Sequence, residues 1–498
     1  MKRSSGILLP VFSLPSLYGI GTLGREAYIF ADFLHAAGQS YWQLLPLGPT
    51  SQGDSPYQSF STYAGNPYLI DLEFLVRDGL LTESDLDDHV QDASPRYIDY
   101  GKLYHTRFSL LRKAYEAGYP KEKDQVDAFV KANAWLADYA LFMAVKKHFG
   151  MQSWLDWPDE DIRLRRPDAV ARYRKLLADD VCFYTYLQYL FYRQWNQLKD
   201  YVHSKGIQII GDLPIYVALD SADVWAEPEF FQLGEGNIPV EVAGCPPDSF
   251  SADGQLWGNP LYDYDRMEAD GFGWWIRRVD GARKLFDVIR IDHFRGLESY
   301  WAIPYGDTTA KNGHWRKGPG MKLVGVLTGW FHGTQFIAED LGFLTPEVHQ
   351  LLADSGLPGM KVLEFAFDVR EPGNYLPHTY PRNCVCYVGT HDNETVRQWK
   401  SSATPESVTY ARRYLNLSHE EGFHWGMIRG GMSSVADLFV AQIQDYLGLG
   451  GEARINTPGT ASGNWQWRML PGEASPALAR KIYEYTQMYE RLPQSTTK

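Results

Sequence analysis

Eight short apolar runs, rich in β-branched residues, recur along the chain: 6–11, 41–47, 207–213, 286–292, 335–340, 361–365, 384–390 and 453–457. Most are continuous rather than alternating. An alternating run buries one face of a strand, whereas a continuous run needs cover on both, as in a parallel sheet flanked by helices. Helical periodicity falls between several of them, at 25–37, 346–355 and 433–446. Eight strands with intervening helices predict an α/β fold, the (β/α)8 TIM barrel.

The runs are unevenly spaced. A long stretch rich in Tyr and Trp separates the second from the third, and a stretch rich in Pro, Gly and Asp separates the third from the fourth. The expectation is one catalytic barrel domain over 1–498. It carries a mostly helical insertion at about 50–205 and a loop-rich one at about 214–285, both at the C-terminal face of the strands, with no separate C-terminal β-sandwich domain. A count of about 150 residues per domain would give three domains for 498 residues, but a barrel with insertions also exceeds 400.

Charge narrows the partners. The formal net charge of −13 opposes nucleic acid, which needs clustered Lys and Arg, and opposes an anionic membrane surface equally. The 16 Trp, 32 Tyr and 24 Phe exceed what a core requires and suit the stacking of flat sugar rings. Four cysteines, Cys182, Cys245, Cys384 and Cys386, form no C-x-x-C and read as reduced, buried thiols. Pro10 and Pro15 break the basic-then-apolar start, no A-x-A pattern follows, and no apolar run reaches 18 residues. A cytoplasmic location is expected.

In a barrel, catalytic groups stand at the C-terminal ends of strands. Four runs end in acids: at Asp212, at Asp292-His293, at Glu339-Asp340 and at His391-Asp392-Asn393-Glu394. Carboxylates converging in one mouth raise one another's pKa, so that one stays protonated while another ionises. Retaining glycoside chemistry needs that division. Each acid alone has a plainer reading. Strand-end acids often cap helices or pair with cations, Arg290 could merely neutralise Asp292, and His391 could be a core histidine. Asp212, His293, His391 and Asp392 could also bind a metal, but no H-x-H or H-E-x-x-H spacing occurs. No phosphate-binding glycine motif occurs either.

Longer segments are more specific. Asp212-Leu-Pro-Ile-Tyr-Val217, Arg290-Ile-Asp292-His-Phe-Arg-Gly296, Ala338-Glu339-Asp340-Leu-Gly342 and Gly389-Thr-His391-Asp392-Asn-Glu-Thr395 resemble the four motif segments of amylomaltases. These are the 4-α-glucanotransferases of glycoside hydrolase family 77, related to the α-amylases. Ser55-Pro-Tyr57-Gln58-Ser-Phe-Ser61, Cys245-Pro-Pro-Asp248, Gln255-Leu-Trp257-Gly-Asn-Pro260 and Asn456-Thr-Pro-Gly459 extend the resemblance over 9–467.

The resemblance implies transfer of α-1,4-glucan segments through a covalent intermediate. Maltose, maltotriose, maltodextrins and amylose would be donors and glucose an acceptor, with no cofactor and no metal. It implies Asp292 as nucleophile, Glu339 as acid/base and Asp392 as the carboxylate that holds sugar hydroxyls. Arg290 would orient Asp292, and His391, Asp212 and Asn456 would hold the sugar. Tyr57 would stack beneath the ring being cleaved, and Phe250 and Trp257 would belong to a mobile loop over the acceptor. Two other functions remain open on these residues: an amylase-type hydrolase and a non-catalytic glucan-binding protein.

Overall fold

The computed structural model describes residues 2–51, 53–87, 95–247, 251–370, 373 and 375–493. Eight parallel strands form its centre: β1 (Ser4–Leu8), β2 (Tyr41–Gln43), β3 (Gln208–Leu213), β4 (Val288–Ile291), β5 (Gln335–Ala338), β6 (Gly359–Val362), β7 (Cys384–Tyr387) and β8 (Leu438–Gln442). Their spatial order is β6-β7-β8-β1-β2-β3-β4-β5, and every pairing in it is parallel. The ring closes where the Ala338 N–H donates to the Pro358 carbonyl, at 2.9 Å. The fold is a (β/α)8 barrel, as the runs predict.

Alternation explains why those runs are continuous. Leu8, Tyr41, Ile210, Val288, Ile337, Met360, Val385 and Val440 pack together inside the barrel. Their neighbours Ile7, Trp42, Ile209, Ile289, Phe336, Cys386 and Phe439 join the outer core under the helices. Each strand therefore buries both faces, and no polar residue is needed between apolar ones.

Helices Arg25–Ala36, Ala178–Ser204, Gly273–Leu285, Met321–Trp330, Pro346–Ser355 and Phe423–Ser433 precede strands β2 to β6 and β8. The β6–β7 connection has only 3-10 turns among its described residues, at Leu363–Phe367 and Pro377–Thr379. Pro346–Ser355 starts cleanly because the Thr345 side chain accepts from the Val348 N–H and Pro346 occupies the first turn, and it stops at Gly356, which adopts φ +66°. No helix among the described residues is long and apolar enough to cross a membrane.

One strand lies elsewhere than expected. The run 453–457 joins no ladder, its Ala453 closing a 3-10 turn at Gly451–Ala453, and the eighth strand is Leu438–Gln442, inside the stretch that periodicity marks as helical. A short strand buried on both faces there passes directly into the helix Ile443–Leu447 with no Gly or Pro between. Periodicity does not separate such a strand from a buried helix.

Between β2 and β3 the chain is largely helical, with Tyr100–Gly118, Lys123–Ala132, Leu136–His148 and Ala178–Ser204 its longer helices. Between β3 and β4 it contributes strands Glu241–Cys245 and Gln255–Pro260, which join Ser299–Pro304 and His314–Lys317 in a four-stranded antiparallel sheet. The last two strands come from the connection after β4, so a part of this wall lies outside both expected insertions.

Close packing makes one residue choice in β3 testable. A Cβ added at Gly211 would fall within the Phe286 ring, whereas one at Gly325, inside Met321–Trp330, meets nothing within 4 Å. Gly211→Ala is expected to destabilise by about 1–3 kcal/mol through overpacking, and Gly325→Ala to hold or raise stability by about 1 kcal/mol. Thermal midpoints of the two variants check this, and equal midpoints would contradict the packing at β3.

Candidate active site

The period of two that fills the barrel also aims the polar groups. Asp212 follows Ile210 on the inner face, Arg290 and Asp292 follow Val288, and Glu339 follows Ile337. The inner lining thus turns from apolar to charged at the C-terminal ends of β3, β4 and β5.

Arg290 is the hub. It is 3% exposed, and its Nη1 donates to both oxygens of Asp212 at 2.6 Å and to Asp292 Oδ1 at 3.1 Å. The Tyr57 hydroxyl donates to Asp212 Oδ2 at 2.5 Å and lies 2.9 Å from His391 Nε2. A phenol has one proton, and Asp212 takes it. His391 Nε2 therefore holds the hydrogen and donates to the Tyr57 oxygen, a tautomer assigned from this network. The same nitrogen lies 3.3 Å from Asp392 Oδ1, which also accepts from Asn456 Nδ2 at 2.6 Å. One chain of contacts thus joins Asp292, Arg290, Asp212, Tyr57, His391, Asp392 and Asn456.

Glu339 enters from β5. Its Oε2 accepts from the His293 N–H at 2.6 Å and its Oε1 from the Leu341 N–H at 3.3 Å. The first contact depends on an unusual backbone, because His293 adopts φ +50° and ψ +46°. A non-glycine residue in this left-handed region stores about 1–3 kcal/mol and persists only where its surroundings hold it. Here the Phe294 N–H donates to the Glu339 carbonyl at 3.1 Å, and the Glu339 N–H to that of Ile291 at 3.0 Å. These bonds lace the ends of β4 and β5 and bring the carboxyls of Asp292 and Glu339 into one charged neighbourhood.

Burial sets the charges. It pushes Glu339 up to about 8, with Arg290 pulling down and Asp292 adding repulsion. It pushes Asp292 up to about 7 against the pull of Arg290, with Asp212 and Asp392 adding repulsion. The Asp292 side chain keeps 26% of its area open and holds a direct Arg290 bond, so it ionises first. Burial opposes the charge on Arg290, but Asp212 and Asp292 outweigh it and raise its pKa. Burial lowers both histidines, His293 to about 3, and leaves them neutral.

The family model described as 4-alpha-glucanotransferase, glycoside hydrolase family 77, matches residues 9–473. The chain belongs to this family. A 4-alpha-glucanotransferase of Clostridium butyricum is 48% identical over 484 residues, covering 97% of this chain and 99% of that protein. One from Thermus thermophilus is 48% identical over 508 residues, covering 99% and 100%. Among solved structures, the amylomaltase of Streptococcus agalactiae in complex with acarbose superposes with a TM-score of 0.97 at 40% identity, covering 99% and 100% of the two chains.

The structure brings together Tyr57, Asp212, Arg290, Asp292, Glu339, His391, Asp392 and Asn456. Trp257 joins them at the edge of the site, its ring 4.8 Å from that of His293 at 89°. It lies on a strand rather than a loop, and Gln58 Nε2 reaches the same strand through Asn259 Oδ1 at 3.1 Å. Phe250 lies outside the described residues. Tyr57 has more contacts than a stacking platform needs: besides its two hydrogen bonds it stacks on His391 at 5.3 Å and 15°. Asn456 contacts Asp392 directly. Sequence reasoning missed the His293 backbone and Arg454, whose Nη2 donates to the Asp392 carbonyl at 2.7 Å. The His293 turn left no residue signal, because φ above zero here falls on a residue other than glycine. Arg454 sits two positions before the Asn456 motif, in the run mistaken for a strand.

Removing the hub strands two carboxylates. Arg290→Gln is expected to lose about 3–5 kcal/mol near pH 8, as when a buried pair is broken. Asp292 is already raised by burial, and without the cation that opposes this it binds its proton still more tightly folded than unfolded, so acid favours the folded variant. The stability gap to the parent protein should therefore narrow as pH falls from 8 toward 5. Denaturant midpoints across that range check this, and a gap independent of pH would contradict the ion-pair role.

Proposed function

We propose that this chain is a 4-α-glucanotransferase working by retention, and the adjacency of Asp292 and Glu339 around the His293 turn is the observation that carries the reading. Glu339 is the acid. Burial keeps it protonated at neutral pH, and it donates its proton to the glycosidic oxygen as the bond breaks. Asp292, ionised under Arg290, attacks the anomeric carbon and forms a covalent glycosyl-enzyme. The donor's reducing-end fragment leaves. A 4-hydroxyl of a second glucan enters, Glu339 now takes its proton, and the sugar passes to that oxygen as Asp292 departs. Two inversions restore the α-1,4 link.

Asp392 holds sugar hydroxyls and opposes the positive charge that develops on the ring. Neutral His391, Asp212 and Asn456 complete the grip on the donor sugar. Tyr57 offers it a ring edge or face, and Trp257, with Phe250, covers the acceptor side. Protein carboxylates and one guanidinium supply the chemistry, so the mechanism uses no metal or cofactor. Maltose, maltotriose, maltodextrins and amylose are the proposed donors, and glucose or another maltodextrin the acceptor. The barrel with its two insertions acts as one catalytic unit, the insertions walling the mouth. The cytoplasm is the proposed location, in keeping with four cysteines that form no disulfide, two of them buried.

An amylase-type hydrolase would share every step but the last. Family membership over almost the whole chain favours transfer, and so does aromatic cover that excludes water while a second sugar is held in place. Maltotriose alone should therefore yield glucose together with longer maltodextrins, with reducing ends nearly constant. Trp257→Ala should raise the hydrolysed fraction. Chromatography of products by length, with a reducing-end assay, checks both. Reducing ends rising in step with substrate loss, and nothing longer than the donor, would establish a hydrolase.

A further inference from the structure

Asp392 is more open than Asp292, its side chain 42% exposed against 26%, and it stands on a connection rather than in a strand. Both of its short side-chain contacts, from Asn456 and His391, fall on Oδ1. Something must fix the backbone beneath it if that carboxylate is to meet a sugar in one orientation.

Arg454 does so from the connection after β8. Its side chain is 17% exposed. Nη2 donates to the Asp392 carbonyl at 2.7 Å, and Nε to the Asn456 carbonyl at 2.8 Å. Nη1 lies 3.8 Å from Glu394 Oε1, two residues past Asp392. The Asn456 N–H donates to the His391 carbonyl at 3.1 Å, which closes the bracket. These bonds, rather than a sheet ladder, tie the 454–456 stretch to the connection after β7.

We propose that Arg454 is a positioning residue for the transfer reaction: its guanidinium ties the connection after β8 to the one after β7 and so aims the Asp392 carboxylate. The inference rests on the role of Asp392 given above. A planar guanidinium presents two donors along one edge, which lets a single side chain hold carbonyls from two loops at once. Its charge falls on carbonyl oxygens and on Glu394, not on the Asp392 carboxylate. Asp392 keeps its negative charge for the transition state while its main chain is held still. Misplacement of a reacting group by about 1 Å can cost on the order of a hundredfold in rate.

A double-mutant cycle tests this. Arg454→Gln, Asp392→Asn and the double variant are compared with wild type for fluoride release from α-maltosyl fluoride with glucose as acceptor, and each thermal midpoint is recorded. Arg454→Gln should lower kcat by about 10- to 100-fold with KM little changed. In the Asp392→Asn background the same change should have almost no further effect, because residues acting as a unit are not additive. Arg454→Lys keeps the cation but has no two-donor edge. It should melt near the wild-type midpoint and still lose kcat, so the test stands if the glutamine variant fails to fold. Losses that multiply in the double variant, or a folded lysine variant with wild-type kcat, would overturn the proposal. If wild type only hydrolyses the donor, the transferase reading fails, and the same cycle judges the bracket on the hydrolysis rate.

Discussion

The contact between Arg290 and two buried carboxylates is the constraint around which the mouth of this barrel is arranged. An isolated charge is costly in an apolar barrel, yet here three charged groups meet, Arg290 and Asp212 each 3% exposed and the Asp292 side chain 26%. They persist because the Arg290 guanidinium answers Asp212 and Asp292 together and its Nε finds Met360 Sδ at 3.3 Å in the barrel interior. From Asp212 the order spreads through Tyr57 and His391 to Asp392. From β4 it spreads through the His293 turn to Glu339. Loops from five different connections are thereby held to one geometry, and the chemistry is preorganised before any sugar arrives.

Function also requires that the acids differ. Asp292 and Glu339 both feel burial, but Asp292 has a cation in direct contact whereas Glu339 is held by backbone N–H groups. The same low dielectric that makes Glu339 hold its proton therefore lets Asp292 release its own first. Nucleophile and acid are distinguished by what each touches.

Much of this was legible in the chain. Strands β1 to β7 stood out because residues such as Ile209, Ile210, Val288 and Ile289 are apolar on both faces. The acids could be found because they stand at the C-terminal ends of these runs, where a barrel carries its catalytic groups. β8 was not legible, since Leu438–Gln442 runs into a helix without a break. The antiparallel sheet escaped notice because half of it comes from the connection after β4, where His314–Lys317 is exposed and has no apolar pattern. Arg454 could not be singled out, because its partners are main-chain carbonyls that leave no mark on residue identity. The same holds for the His293 turn, where a hydrogen bond rather than glycine sustains φ +50°.

The central claim is that Asp292 becomes covalently bonded to the sugar while Glu339 manages the protons. The direct measurement is intact and peptide mass spectrometry of the Glu339→Gln variant, quenched in acid after mixing with α-maltosyl fluoride. Fluoride needs no proton to leave, so the first step proceeds, while the missing base slows the second. The account predicts a maltosyl adduct that accumulates on the peptide containing Asp292 and disappears in the Asp292→Asn, Glu339→Gln double variant. Steady fluoride release with no adduct, or an adduct on another residue, would contradict it.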